Sequence, residues 1–215
     1  MENYEAVMKL LLEAVKSGDV KVDKASTGEI PVGISNRHVH LSQGHVDTLF
    51  GPGYQLTKLK DLSQPGQYAC KETITICGPK GAIEKVRVLG PVRNETQVEV
   101  SGGDCIKLGV KSNVRLSGDL SGTPAITVVG PKGSVIANEG LIVAQRHIHM
   151  TPEDAKQLDL ANGELVEIKT AGLRGGTYNS VSIRVDESYS LECHLDVEEA
   201  NAMGITPNTK IQICR

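Results

Sequence analysis

At the start of the chain the apolar residues Tyr4, Val7, Met8, Leu11 and Val15 recur at helical spacing, with Glu2, Glu5, Lys9, Glu13 and Lys16 filling the rest of the wheel. That pattern predicts an amphipathic helix. Ser17 to Glu29 is polar and aperiodic, with Gly18 and Gly28, and reads as a linker. Helix and linker together are expected to occupy residues 1–27. After Pro31 short alternating runs separated by turn residues take over, and the chain repeats itself. GISNRHVHLS at Gly33–Ser42 is similar to VAQRHIHMT at Val143–Thr151, and ITICGPKG at Ile74–Gly81 to ITVVGPKG at Ile126–Gly133. In the second pair an alternating run meets a Gly-Pro turn that ends it, which predicts two strand-turn-strand units. A third pattern places short helical stretches near Cys105, Ala155 and Ala200. Each is followed by Leu108-Gly109-Val110, Leu158-Asp159-Leu160 or Met203-Gly204-Ile205, then a turn and a strand. Short helices capping small barrels fit this order, and two barrels of roughly 80 to 100 residues fit the length better than one large one.

Composition sharpens the picture. Aromatic residues make up 3% of the chain, with no Trp and one Phe, so the core must be built from Val, Ile, Leu and Ala. Twenty-three Gly and nine Pro between β-branched runs point to a mainly β protein. The formal charge of -3, from 23 basic and 26 acidic residues, provides no basic field, and nucleic acid is not expected as a partner. The longest unbroken apolar run is Leu141-Ile142-Val143-Ala144, far short of the about 18 residues of a membrane span. The acidic start without an A-x-A-like site argues against a signal peptide. Five cysteines, Cys70, Cys77, Cys105, Cys193 and Cys214, form an odd set without C-x-x-C. Reduced thiols in the cytoplasm are expected.

Four of the six histidines occur as Arg37-His38-Val39-His40 and Arg146-His147-Ile148-His149. Alternation along a strand puts the two imidazoles of each pair on one face, where they can chelate a metal ion. A catalytic zinc takes three protein ligands and keeps an open position, so each pair needs a further ligand, and His194 and Glu99 are the candidates. Ser42, Ser101, Thr151 and Asp196 lie two residues after His40, Glu99, His149 and His194. All four are favoured N-cap types, and Pro152 follows Thr151, so each candidate sits at a strand end just before a helix. Cys193 is a rival to His194, but alternation turns it to the opposite face. His45 is expected on the helix surface. Gly172-Leu173-Arg174-Gly175-Gly176 reads as a hairpin turn.

GISNRHVHLS, GPVRNETQVEVS, VAQRHIHMTPEDA and the stretch HLDVEEAN from His194 to Asn201 closely resemble the PduL-type phosphate acyltransferases, the phosphate propanoyltransferases. The similarity runs from about Ile30 to the C terminus. It implies two helix-capped β-barrels, residues 28–36 with 145–215 and residues 37–144, with two zinc ions per chain between them. The resemblance implies one zinc on His38, His40 and Glu99, the other on His147, His149 and His194, and Arg93 as the phosphate-binding residue. The implied substrates are phosphate and an acyl-CoA, propanoyl- or acetyl-CoA, with coenzyme A as product. One zinc, that of His38, would take the CoA sulfur, and the other would act with Arg93 on phosphate. The resemblance further implies a homodimer in the cytoplasm and a bacterial microcompartment setting linked to propanediol degradation, where residues 1–20 would act as an encapsulation peptide toward shell or cargo proteins. A dizinc hydrolase of a thioester or related substrate is the alternative, although the H-x-H-x-D-H pattern of metallo-β-lactamase-like enzymes is missing, since Leu41 and Ser42 follow His40.

Overall fold

The computed structural model describes residues 27–214. The amphipathic helix expected at the start of the chain lies outside the described residues. Among those described, strands dominate and four short helices are interspersed. The chain enters one sheet as β1 (Thr27–Ser35), then leaves it for a long excursion. The excursion comprises β2 (His38–Ser42), α1 (Gln43–Phe50), β3 (Lys58–Asp61), β4 (Tyr68–Gly78), β5 (Gly81–Arg93), β6 (Gln97–Glu99), α2 (Gly102–Leu108), β7 (Val114–Arg115), β8 (Ile126–Val129), β9 (Ser134–Ala137) and β10 (Leu141–Ala144). The return is made by β11 (His147–Met150), α3 (Pro152–Leu158), β12 (Leu165–Lys169), β13 (Thr177–Val185), β14 (Glu192–Asp196), α4 (Val197–Met203) and β15 (Lys210–Cys214).

The first and last groups form a closed six-stranded barrel in the order β1-β14-β11-β13-β12-β15. The excursion forms a nine-stranded sheet ordered β7-β10-β6-β2-β5-β4-β8-β9, with β3 added beside β4. The mainly β, helix-capped architecture agrees with the sequence reading, but only one sheet closes. The other is a half-barrel whose terminal strands β7 and β9 do not pair with each other. With two residues, β7 is too short to continue the ladder.

Each sheet has its own core, as the alternation requires. Val39, Leu41, Val98 and Leu141 are fully buried in the half-barrel, and Ile148, Met150, Ile183 and Cys193 in the barrel. The Gly-Pro repeats are the hairpins joining β4 to β5 and β8 to β9, and the Gly172–Gly176 stretch joins β12 to β13. Each anticipated N-cap closes a helix: Ser42 accepts from the His45 N–H, and Ser101, Thr151 and Asp196 form reciprocal capping boxes with Asp104, Asp154 and Glu199. The last three helices end in a left-handed residue, Gly109, Asp159 or Gly204. The next amide, on Val110, Leu160 or Ile205, then turns back to a helix carbonyl. Strand, cap, short helix and left-handed stop therefore form one local unit used repeatedly.

Ile148 sits between the two histidines of β11 with no exposed surface. Ile148→Ala should cost about 2–5 kcal/mol of unfolding free energy, from lost burial and the cavity left behind. Urea denaturation checks this, and a loss below about 1 kcal/mol would mean that the barrel collapses around the gap.

Candidate functional site

With Val39 and Ile148 turned into the cores, the histidines flanking them face the other way, into the space between the two sheets. The third member of each group comes from the neighbouring antiparallel strand by register. His38 stands opposite Glu99 in β2·β6, and His147 opposite His194 in β11·β14. The ligand atoms of His38, His40 and Glu99 lie within 4.8 Å of one another, as do those of His147, His149 and His194. All six residues, together with Arg93, line one cleft of about 760 Å³. Cys193, on the opposite face of β14, is packed in the barrel core.

The chain crosses between the sheets just before each H-x-H pair, at Asn36-Arg37 and at Gln145-Arg146. Both crossings are braced alike. Arg37 Nε donates to Asp104 Oδ2 at 2.8 Å, and Arg146 Nε to Glu199 Oε1 at 2.9 Å, each acid being the capping-box partner of the helix after the third-ligand strand. The carbonyls of Asn36 and Gln145 lie 2.8 Å from Nδ1 of His38 and His147. A carbonyl oxygen only accepts, so Nδ1 carries a proton in both rings, and Nε2 is the nitrogen each ring can offer to a metal ion.

Tests of metal fit favour the two groups. Nδ1 of His40 and both ring nitrogens of His149 are buried without a hydrogen-bond partner, an arrangement costly in the protein alone and relieved by a cation. Burial, with the neighbouring imidazoles His194 and His147, pulls His149 down to about 2, and burial with His194 pulls His147 down to about 4. Both rings are thus neutral, as metal ligation requires. His40 is lowered as well, by burial and by His38 and Arg93. Burial alone would raise the Glu99 carboxyl, but His38, His40 and Arg93 hold it well below the usual carboxylate range. Burial alone would lower His38, yet Glu99, 3.5 Å from its Nε2, and the Asn36 carbonyl raise it overall. An N₂O set and an N₃ set of this kind suit zinc, each leaving a position open.

The histidine shifts predict how stability depends on pH. With His147 and His149 held below their ordinary 6.5 in the folded state, the unfolded chain takes up protons first as pH falls. Chelator-treated protein should lose stability from about pH 6.5 down toward about 4. Its melting temperature, followed from pH 8 to 4.5, should hold at the alkaline end and fall through that window. A flat profile would contradict the buried neutral rings.

Arg93 Nη1 donates to Ser117 Oγ at 3.1 Å. Arg184, opposite His149 in the β11·β13 register, faces the same cleft, and burial together with Arg184 disfavours the charge on Arg93. Two confined cations beside the two candidate ligand groups can form a receptor for an anion. Tyr189 stacks on His149 with ring centroids 3.9 Å apart, and its ring lies 5.9 Å from the Arg184 guanidinium carbon. His45 is not in the site: it lies on α1, half-buried, with Nδ1 2.7 Å from Thr96 Oγ1. Sequence reasoning missed Arg184, Tyr189, Ser117, Gln97 and Glu192. The last two carried a signal, since each lies two positions before a proposed ligand and so shares its face.

A family model described as phosphate propanoyltransferase matches residues 31–206. Among similar proteins, a phosphate propanoyltransferase of Thermotoga maritima is 56% identical over 185 residues, covering 86% of this chain and 88% of the relative. One from Clostridioides difficile is 52% identical over 206 residues, covering 96% and 98%. One from Rhodobacter capsulatus is 48% identical over 209 residues, covering 97% of each.

Proposed function

Because the chain belongs to the phosphate propanoyltransferase family and is a phosphate acyltransferase, we propose that it interconverts acyl-CoA and phosphate with acyl phosphate and CoA. Propanoyl-CoA or acetyl-CoA is the proposed donor. The observation that carries the reading is the convergence of two three-ligand groups and Arg93 on a single cleft. In this reading His38, His40 and Glu99 hold one zinc ion and His147, His149 and His194 the other. Bound zinc would supply Lewis acidity toward phosphate and carbonyl oxygens and a soft acceptor for the thiolate of CoA.

The residues of the chain do the rest. Arg93, steadied by Ser117, presents its planar fork to phosphate, with Arg184 as the second cation. Held there, a phosphate oxygen bonds to the thioester carbonyl carbon, the carbon–sulfur bond breaks, and its electron pair leaves on sulfur as CoA thiolate. A covalent acyl-enzyme is not needed. Cys193 lies in the barrel core with its thiol pushed up to about 12 by burial and by Glu199 and Glu192. None of the described cysteines lines the cleft.

No helix among the described residues is long and apolar enough to cross a membrane. The proposal extends to a homodimer, and to residues 1–20 as a docking segment for microcompartment shell or cargo proteins. The pattern of Tyr4, Val7, Met8, Leu11 and Val15 supports the docking segment.

Purified protein should form acyl phosphate from acetyl-, propanoyl- or butanoyl-CoA only when phosphate is present and should stop on chelation. A chain starting at residue 28 should turn over at the same rate. CoA release without phosphate would instead identify a dizinc hydrolase, and full activity in metal-free protein would overturn the dizinc reading.

A further inference from the structure

Behind the two ligand groups lies a second correspondence between the half-barrel and the barrel. In β6 the residue two before Glu99 is Gln97, and in β14 the residue two before His194 is Glu192. Their register partners correspond as well: Gln97 stands opposite His40, and Glu192 opposite His149. Gln97 is 1% exposed. Its Nε2 donates to Glu99 Oε1 at 2.6 Å and to Ser117 Oγ at 2.8 Å, and its Oε1 accepts from the Gly118 N–H at 2.7 Å. Glu192 Oε2 approaches His194 Nε2 at 3.1 Å, a buried nitrogen with no hydrogen bond of its own. The same carboxylate accepts from Ser63 Oγ at 2.5 Å and Gln64 Nε2 at 3.2 Å, both from the half-barrel. Gln64 is itself clamped to the backbone of Ser190, donating to its carbonyl and accepting from its N–H.

The polarity is matched to the group being held. A carboxylate ligand can only accept, and the side chain beside it is an amide donor. An imidazole ligand has a proton to place, and the side chain beside it is a carboxylate acceptor. On the metal reading proposed above, we infer that Gln97 and Glu192 are a matched pair of positioning residues that aim the third ligand of each group. Each is anchored from outside its own strand, Gln97 by the segment at Ser117 and Gly118, Glu192 by the opposite sheet. Gly33, the register partner of His194 on β1, makes room for this: a Cβ there would stand 2.8 Å from the Glu192 carboxyl carbon. Outer-sphere partners of metal ligands are worth about 10- to 100-fold in metal affinity.

The test titrates zinc from the full-length, zinc-loaded protein with a chromophoric chelator. The absorption bands of the cobalt-substituted protein serve as a second readout. Wild type should release two equivalents with high affinity. Glu192→Ala and Gln97→Ala should each weaken one equivalent by about 10- to 100-fold and leave the other, and the double variant should weaken both. Glu192→Gln, which keeps an acceptor oxygen, should recover part of the loss. Gln97→Glu should bind worse than Gln97→Ala, because two carboxylates would then face each other. Gly33→Ala and Ser117→Ala test the pair without altering either residue, in case an alanine variant does not fold. Wild-type affinity for both equivalents in folded variants overturns the inference, as does equal weakening of both by one single variant. Wild-type protein that binds no zinc overturns the metal reading itself and this inference with it.

Discussion

Replacing His147 with Ala is expected to remove one of two zinc equivalents and to lower acyl phosphate formation by about 1000-fold, the rate equivalent of several kcal/mol of lost charge stabilisation. His149 and His194 remain, but two ligands seldom retain zinc where three are needed. His147 also faces the cleft rather than either core, so little of its effect should come from packing. The variant should melt close to chelator-treated wild type, which separates a lost metal from a lost fold. His38→Ala should act in the same way on the other equivalent. Unchanged zinc content and turnover in both variants would dismiss the two groups as metal sites.

Arg93→Lys should raise the KM for phosphate and lower kcat/KM for phosphate by about 10- to 100-fold, while the KM for acyl-CoA stays within about twofold. Lysine keeps the charge, so long-range attraction of the anion survives. The planar fork proposed to grip phosphate is lost, and with it the anchor from Arg93 Nη1 to Ser117. Arg184 still lines the cleft as the second cation of the proposed anion site, which is why a reduced rather than absent phosphate response is expected. Steady-state kinetics with phosphate and acyl-CoA varied separately decide the matter. An unchanged phosphate dependence would remove Arg93 from the anion site.

Features governed by neighbouring residues could be read from the sequence. Two-residue alternation put His38 with His40 and His147 with His149, and cap chemistry located the starts of all four described helices at Ser42, Ser101, Thr151 and Asp196. The third member of each candidate group needed more than alternation. Glu99 and His194 become partners of His38 and His147 only through antiparallel register, a long-range property that resemblance supplied and strand patterning did not. Closure was likewise invisible, because both sheets have the same alternating runs, and whether the ends meet depends on strand pairing across the whole sheet. Arg184, Tyr189 and Ser117 fell outside any motif, since a polar residue brought to a cleft by tertiary packing looks in sequence like any solvated one. Gln97 and Glu192 lie between these cases. Their spacing from Glu99 and His194 was on view, but their role depends on anchors from elsewhere in the chain.

The order of strands around the barrel has a consequence for biosynthesis. β1 emerges from the ribosome before any other described strand, yet its two neighbours, β14 and β15, are the last to be made. At elongation rates of about 5–20 residues per second, β1 waits roughly ten to thirty seconds for β14 with both edges open. All strands of the half-barrel are translated in that interval, so it can fold while the barrel cannot close. A nascent chain stalled before Glu192 would therefore display a finished half-barrel flanked by an unpaired strand that chaperones or like strands could capture. Emergence of β14 and β15 is the event that completes both the barrel and the second candidate ligand group.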